Sequence, residues 1–440
     1  MIIRFVVSNF TSYKDENVLD FVTNSKIQSY LDHEVRVTNR LKVLKYLGIF
    51  GSNAFGKSNI LKAIAIMKNF VLTSQLPSNL SFDGNENTPT TFTMVFEINN
   101  NYYEYSFSVL ANSLGLPPII VSESLYILYR YADSVKIYDS KEGIVDNNDK
   151  AMQIFEAGYK NTMGTLFLSY INAPERRIEG NKYSKIFGEV YDFFSNYIKI
   201  VLTESTLILA VNELSVEKIR NKLHRYDTGI EDVYFTSVSD EEKENLAKEE
   251  LFKEAAKNVM ANNNIHSQYF ANSNQVIMIK NNEGVLDVQK LMFKHKGIKK
   301  PFNYGKESEG TKRIFCLICF LLFEGNDGQT IFIDELERSC HSEIAPIIIE
   351  DYQKLNKERR SQLVFTSHLS ELMGIVLRKD EIYFVNKKDD GTSHIYSLLE
   401  FKSKTRDNIE ANYLEGRYGA VPKIGVEIAD NLRENRRKDN

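Results

Sequence analysis

Residues 51–58 read Gly51-Ser52-Asn53-Ala54-Phe55-Gly56-Lys57-Ser58, the glycine-lysine-serine spacing of a phosphate-cradling P-loop. The apolar run Leu44–Phe50 precedes it, and the helix-compatible stretch beginning at Asn59 follows it. Strand, glycine loop and helix in that order constrain the chain to an α/β sheet, because the loop must turn from a buried strand into a helix N-terminus. The glycines let consecutive backbone N–H groups face the phosphates. Lys57 can reach the β and γ oxygens, and the Ser58 hydroxyl is placed for Mg²⁺. Residues 51–59 are therefore expected to bind ATP with Mg²⁺.

A second apolar run, Thr330-Ile-Phe-Ile, ends in two adjacent carboxylates, Asp334 and Glu335, which is the Walker B form. Asp334 is expected to hold Mg²⁺ and Glu335 to polarise the water that attacks the γ-phosphate. A third run, Gln362–Ser367, delivers His368 at its carboxyl end, where an open α/β sheet places its ligand. A histidine there can sense the γ-phosphate. Ahead of Walker B, Glu307-Ser308-Glu309-Gly310 opens an apolar helix, with Ser308 as its cap and the Gly310 N–H beside it. P-loop, serine-glycine helix start, Asp-Glu and strand-end histidine follow the order of an ABC-ATPase head. In that architecture Ser308 and Gly310 close over the nucleotide of a second subunit.

The rest of the chain sets bounds on this reading. With 440 residues and 42% hydrophobic content it can bury a large core. No stretch reaches about eighteen uninterrupted apolar residues, and the N-terminus lacks a signal-peptide pattern. A soluble, cytoplasmic protein with no membrane partner is expected. Three cysteines argue against a disulfide framework, and the Cys316-x-x-Cys319 pair lies in an apolar run that reads as a buried helix rather than a metal or redox site. The net charge of −4 gives no global footprint for nucleic acid, although Lys290, Lys294, His295, Lys296, Lys299, Lys300 and Lys306, then Lys357, Arg359 and Arg360, then Arg433, Arg436, Arg437 and Lys438, leave DNA contact open.

Along the chain, residues 1–130 read as the N-terminal part of an ATPase head with an antiparallel β lobe. Within it, Thr91–Ile98 and Tyr102–Val109 are expected to form a hairpin about Asn99-Asn100-Asn101. Residues 131–265 read as a mainly helical insertion, with Asp240–Lys257 as one amphipathic helix. Residues 266–440 return to alternating strands and helices.

On these motifs the chain resembles the ABC/SMC-like AAA-type ATPases of bacterial anti-phage defence, and is similar to the first component of AbiL, RloA and the AriA subunit of PARIS. The resemblance is carried by Asn9-Phe-Thr-Ser-Tyr13, the P-loop through Asn59, Glu307–Arg313, Ile333–His341, Thr366–His368, Leu377–Val385 and Tyr413–Pro422. It implies an ATPase that assembles as ATP-sandwich homo-oligomers, a dimer or multiple of dimers. It also implies control of a separately encoded effector such as a TOPRIM-like nuclease, and response to a phage trigger protein in abortive infection. Site roles carried over fall on Lys57, Ser58, Ser308, Gly310, Asp334, Glu335 and His368, with Ser12 near the nucleotide and His341 in a loop facing the partner subunit. The sequence departs from related repair ATPases at Thr11, where arginine is common, and from transporters at Glu309; no Q-loop glutamine is assigned. The competing readings are a DNA-end or DNA-repair ATPase, the ATPase of a transporter and a nuclease. For the last, Asp389-Asp390-Gly391 reads as a hairpin turn instead.

Overall fold

The run ahead of the glycine loop is buried at every position of the strand Tyr46–Phe50. That continuous burial is the mark of a strand covered on both faces. In the computed structural model it lies inside a six-stranded sheet ordered Ile198–Val201, Thr330–Ile333, Gln362–Ser367, Tyr46–Phe50, Ile382–Lys387, Ser393–Ser397. Gln362–Ser367 and Ile382–Lys387 both run parallel to Tyr46–Phe50. Ile382–Lys387 and Ser393–Ser397 pair antiparallel, so Asp389-Asp390-Gly391 lies in the hairpin between them, with Gly391 at φ 83°. The strand leading to Asp334 is separated from the P-loop strand by the single strand Gln362–Ser367. The fold is mixed α/β, a P-loop nucleotide-binding sheet with an antiparallel β lobe. The residues described are 1–38, 40–112, 116–129, 133–141, 144–145, 149–159, 162–173, 181–202, 215–261, 267–272, 274–322, 327–401 and 408–421. The basic run from Arg433 to Lys438, and Pro422, lie outside them.

The chain divides into two compact units: Met1–Ile200 with Phe332–Asp334 and Gln362–Asn440, and Val201–Ile331 with Glu335–Ser361. The first unit contains the P-loop strand and its helix, Lys57–Thr73. It also contains a seven-stranded sheet ordered Ile144–Val145, Asp133–Lys141, Ile119–Tyr129, Asn101–Leu110, Thr90–Ile98, Ile2–Ser8, Asn17–Asp20. All its neighbours pair antiparallel. The hairpin expected at Asn99 forms, and Asn99 and Asn100 take φ 52° and 63°, the two left-handed positions of a type I′ turn. Phe92, Met94, Phe96, Tyr105 and Phe107 line the buried face. Phe96 stacks on Phe193 with centroids 3.9 Å apart, joining the sheet to the helical residues that follow.

The second unit is built on the antiparallel order Ile230–Ser237, Val285–His295, Val276–Asn282, Ser267–Ala271. The stretch expected as one helix over Asp240–Lys257 is two, Asp240–Leu246 and Glu250–Ala261. Leu246 and Phe252, six residues apart, would point about 120° apart on a straight helix. The break lets both join one cluster with Phe270, Ile277, Ile279 and Val288. The turn is closed by Lys248 and Glu249 N–H groups bonding the Asn245 and Leu246 carbonyls. Cys316 and Cys319 are buried in the helix Glu309–Leu322, as their apolar run implies.

Candidate functional site

The P-loop is fixed by segments from both ends of the chain, all in the first unit. Gly56, just ahead of the helix, sits at φ 106°, and a Cβ there would come within 2.7 Å of both Ser12 Oγ and Ser393 Oγ. Only glycine permits that backbone and that approach together. The Ser393 hydroxyl donates to the Phe55 carbonyl at 2.6 Å. Tyr13 donates its hydroxyl to the Gly56 carbonyl at 2.9 Å. Burial pushes the Tyr13 phenol far up, so it stays a donor. Asn59 Nδ2 donates to Ser12 Oγ at 2.9 Å. On the other side of the loop, Ser52 donates both its N–H, at 2.9 Å, and its hydroxyl, at 3.1 Å, to the Ala420 carbonyl. Asn53 and Ala54 are exposed, and Ser58 is half-buried at the first turn of the helix.

Lys57 is 5% exposed. Its ammonium lies 2.7 Å from the Gly51 carbonyl and 3.0 Å from the Ser52 carbonyl, inside the curve of the loop. His368, exposed at the end of its strand, places Nδ1 3.3 Å from the same ammonium. Asp334 is fully buried and accepts the Thr366 hydroxyl at 2.6 Å, which sets the carboxyl ends of the Asp334 and His368 strands side by side.

Glu335, Ser308 and Gly310 belong to the second unit. Ser308 caps the helix Glu309–Leu322: its Oγ accepts the Thr311 N–H at 3.1 Å and lies 2.9 Å from Thr311 Oγ1. The preceding Glu307 is buried and paired with His295 Nε2 at 2.9 Å. Glu335 takes φ 46°, and its carbonyl accepts from Arg313 Nη2 and from the Arg338 N–H, each at 3.0 Å. His341 is exposed. Of the basic stretch, Lys290 and Lys294 pair with Glu242 and Glu231, which occupies part of its charge locally.

The residues of the first unit fit a nucleotide's phosphates. A cation inside a loop of left-handed residues, at the N-terminus of a seventeen-residue helix, is an anion seat. They also fit Mg²⁺, for which one carboxylate and one hydroxyl beside phosphate oxygens suffice. Among the described residues no three His, Cys, Asp or Glu side chains cluster as a dedicated metal cage.

Several residues here carried no assigned role in the sequence. Thr366, in Thr366–His368, and Arg313, in Glu307–Arg313, belong to blocks that carry the resemblance. Tyr13 and Ala420 lie inside blocks that carry the resemblance, and their bonds to the loop give those blocks a physical task.

Residues 165–374 match the family described as "AAA domain, putative AbiEii toxin, Type IV TA system". That span is just under half of the chain. It includes Ser308, Gly310, Asp334, Glu335 and His368, and ends short of the P-loop on the N-terminal side. Among solved structures the chain is similar to an Smc head bound to the C-winged helix domain of ScpA, at 15% identity and TM-score 0.44, covering 90% of this chain and 97% of the other. It is also similar to the SMC head domain from Thermotoga maritima, at 12% identity and TM-score 0.36, over 90% of this chain and 98% of the other. An Smc head with an extended coiled coil, bound to the C-terminal domain of ScpA derived from Pyrococcus furiosus, is similar at 16% identity and TM-score 0.42, over 91% and 97%. No curated protein matches. The strand order, the P-loop and the AAA match over residues 165–374 agree on a P-loop nucleotide-binding fold. Among the described residues, no helix is long and apolar enough to cross a membrane.

Proposed function

We propose that this chain binds Mg-ATP and hydrolyses it slowly as one subunit of an ATP-sandwich homo-oligomer. In this reading the assembly controls a separately encoded effector, such as a TOPRIM-like nuclease, in an abortive-infection response to phage. Its parts are an ATPase head formed by residues 1–130 and 266–440, and an insertion, residues 131–265, that meets a phage trigger protein or the effector. The observation that carries the nucleotide reading is the Lys57 ammonium, 2.7 and 3.0 Å from the Gly51 and Ser52 carbonyls inside a loop that Ser12, Tyr13, Ser393 and Ala420 hold in shape. The defence reading is supported by the sequence blocks quoted above and by the match to a domain described with the AbiEii toxin.

In the reaction, Gly51–Asn59 hold the triphosphate and Lys57 spreads its charge over the β and γ oxygens. Ser58 and Asp334 would hold Mg²⁺, which when bound would supply charge neutralisation. Glu335 takes a proton from the attacking water, and His368, 3.3 Å from the Lys57 ammonium, senses the γ-phosphate. Ser308 and Gly310 of a second copy complete the site.

Glu335→Gln should lower turnover by about a hundredfold or more while ATP affinity stays near wild type. Light scattering of Glu335→Gln should give a larger molar mass with Mg-ATP than without, and Ser308→Arg in the same background should abolish the increase. Wild-type turnover in Glu335→Gln would refute the base assignment. A mass indifferent to ATP would refute the sandwich.

A further inference from the structure

Two contacts inside the second unit join the helix that starts at Ser308 to the loop that starts at Glu335. Gly310, in the first turn, faces the Ser339 carbonyl so closely that a Cβ on it would lie 2.5 Å from that oxygen. One turn further along, Arg313 Nη2 donates to the Glu335 carbonyl at 3.0 Å. Glu335 sits at φ 46° and Ser339 at φ 60°, a backbone region that residues with a Cβ adopt rarely and keep only when their surroundings hold them there. The Arg338 N–H also donates to that carbonyl, but it belongs to the same short turn and would follow any relaxation of it. Arg313 is anchored in a fourteen-residue helix whose start is fixed by the Ser308 cap. It is therefore a contact that can hold Glu335 in place from outside the loop.

We propose that Arg313 is a positioning residue for Glu335, and that the Gly310–Ser339 contact makes the helix start and the loop after Walker B move as one piece. The consequence rests on the roles proposed above for Glu335 and for Ser308–Gly310. A nucleotide seated on Ser308 and Gly310 of one chain sets the geometry of Glu335 in that same chain. Both contacts lie wholly within the second unit, so the linkage is testable by hydrogen exchange as well as in turnover.

The experiment combines steady-state ATP hydrolysis and ATP affinity with hydrogen exchange on the full chain, for wild type, Arg313→Met, Arg313→Lys, Gly310→Ala and Arg313→Met/Glu335→Gln. Arg313→Met should lose about tenfold to a hundredfold in kcat, the worth of one charge-assisted hydrogen bond, with ATP affinity unchanged. Arg313→Lys should restore part of that loss. The double variant should be no slower than Glu335→Gln alone, because a displaced base and an absent base are the same defect. Exchange should rise over residues 335–341 in both Arg313→Met and Gly310→Ala, with the sheet of the second unit still protected. Losses that multiply in the double variant, or unchanged protection over 335–341, would overturn the proposal. If Glu335→Gln itself turns over normally, the base assignment fails, and the exchange data alone then decide whether Arg313 holds this loop.

Discussion

Gly56 shows how much one residue can carry. Its φ of 106° and the 2.7 Å approach of two serine hydroxyls leave no room for a side chain. Gly56→Ala must either push away Ser12 and Ser393, which also hold Asn59 and Phe55, or abandon the left-handed backbone that turns the loop. The strain is on the order of 1 to 3 kcal/mol. We expect ATP affinity to fall at least about tenfold, seen as loss of the ATP-induced rise in melting temperature. An unchanged rise would mean that the loop does not seat the phosphates. The requirement for glycine here was legible in the sequence, because the P-loop spacing is local. Of the two serines that enforce it, Ser12 was placed near the nucleotide by the resemblance alone, and Ser393 was not legible, since nothing near it marks it as a neighbour of Phe55.

Individual elements divide in the same way. The Asn99-Asn100 hairpin was legible because asparagine tolerates the left-handed positions that a two-residue turn demands. The break at Ala247–Glu249 was not, because it answers to a sheet whose strands come later in the chain. What the helix Asp240–Leu246 does own is its start. Ser239 Oγ accepts the Glu242 N–H at 3.2 Å, and the Glu242 carboxylate accepts the Ser239 N–H at 2.9 Å. Ser239→Ala should lower stability by about 1 kcal/mol, read as a shift of the urea midpoint at constant slope. No shift would mean that packing of Leu246, rather than the cap, sets the helix start.

The whole molecule depends on contacts between distant segments, and Asp351 is one that responds to pH. Its carboxylate accepts from Lys222 at 2.7 Å, Tyr226 at 2.9 Å and Arg225 at 3.1 Å, tying the helix Ile344–Leu355 to Val216–Arg225 and the residue after it. Burial works against its charge, but the hydrogen bonds of Lys222 and Tyr226 and the charges of Lys222 and Arg225 outweigh it and hold the group below the ordinary 3.8. A carboxylate lowered in the fold stabilises above its unfolded pKa, and that contribution is lost as pH falls through the folded value. Asp351→Asn should therefore be less stable at neutral pH and show a flatter decline on acidification through pH 3.8 and below. Parallel stability profiles of the two proteins would refute the assignment.

By itself the sequence determined the strand-loop-helix of the P-loop, the Asp334-Glu335 pair and the strand ending in His368, because each depends on a contiguous spacing of residue types. Tertiary structure alone decided that Ala420 closes the loop at Ser52, 368 positions away, and that Arg313 reaches the Glu335 carbonyl. Those partners meet through backbone atoms and long side chains brought together by the sheets, and a backbone carbonyl leaves no trace in the identity of its residue.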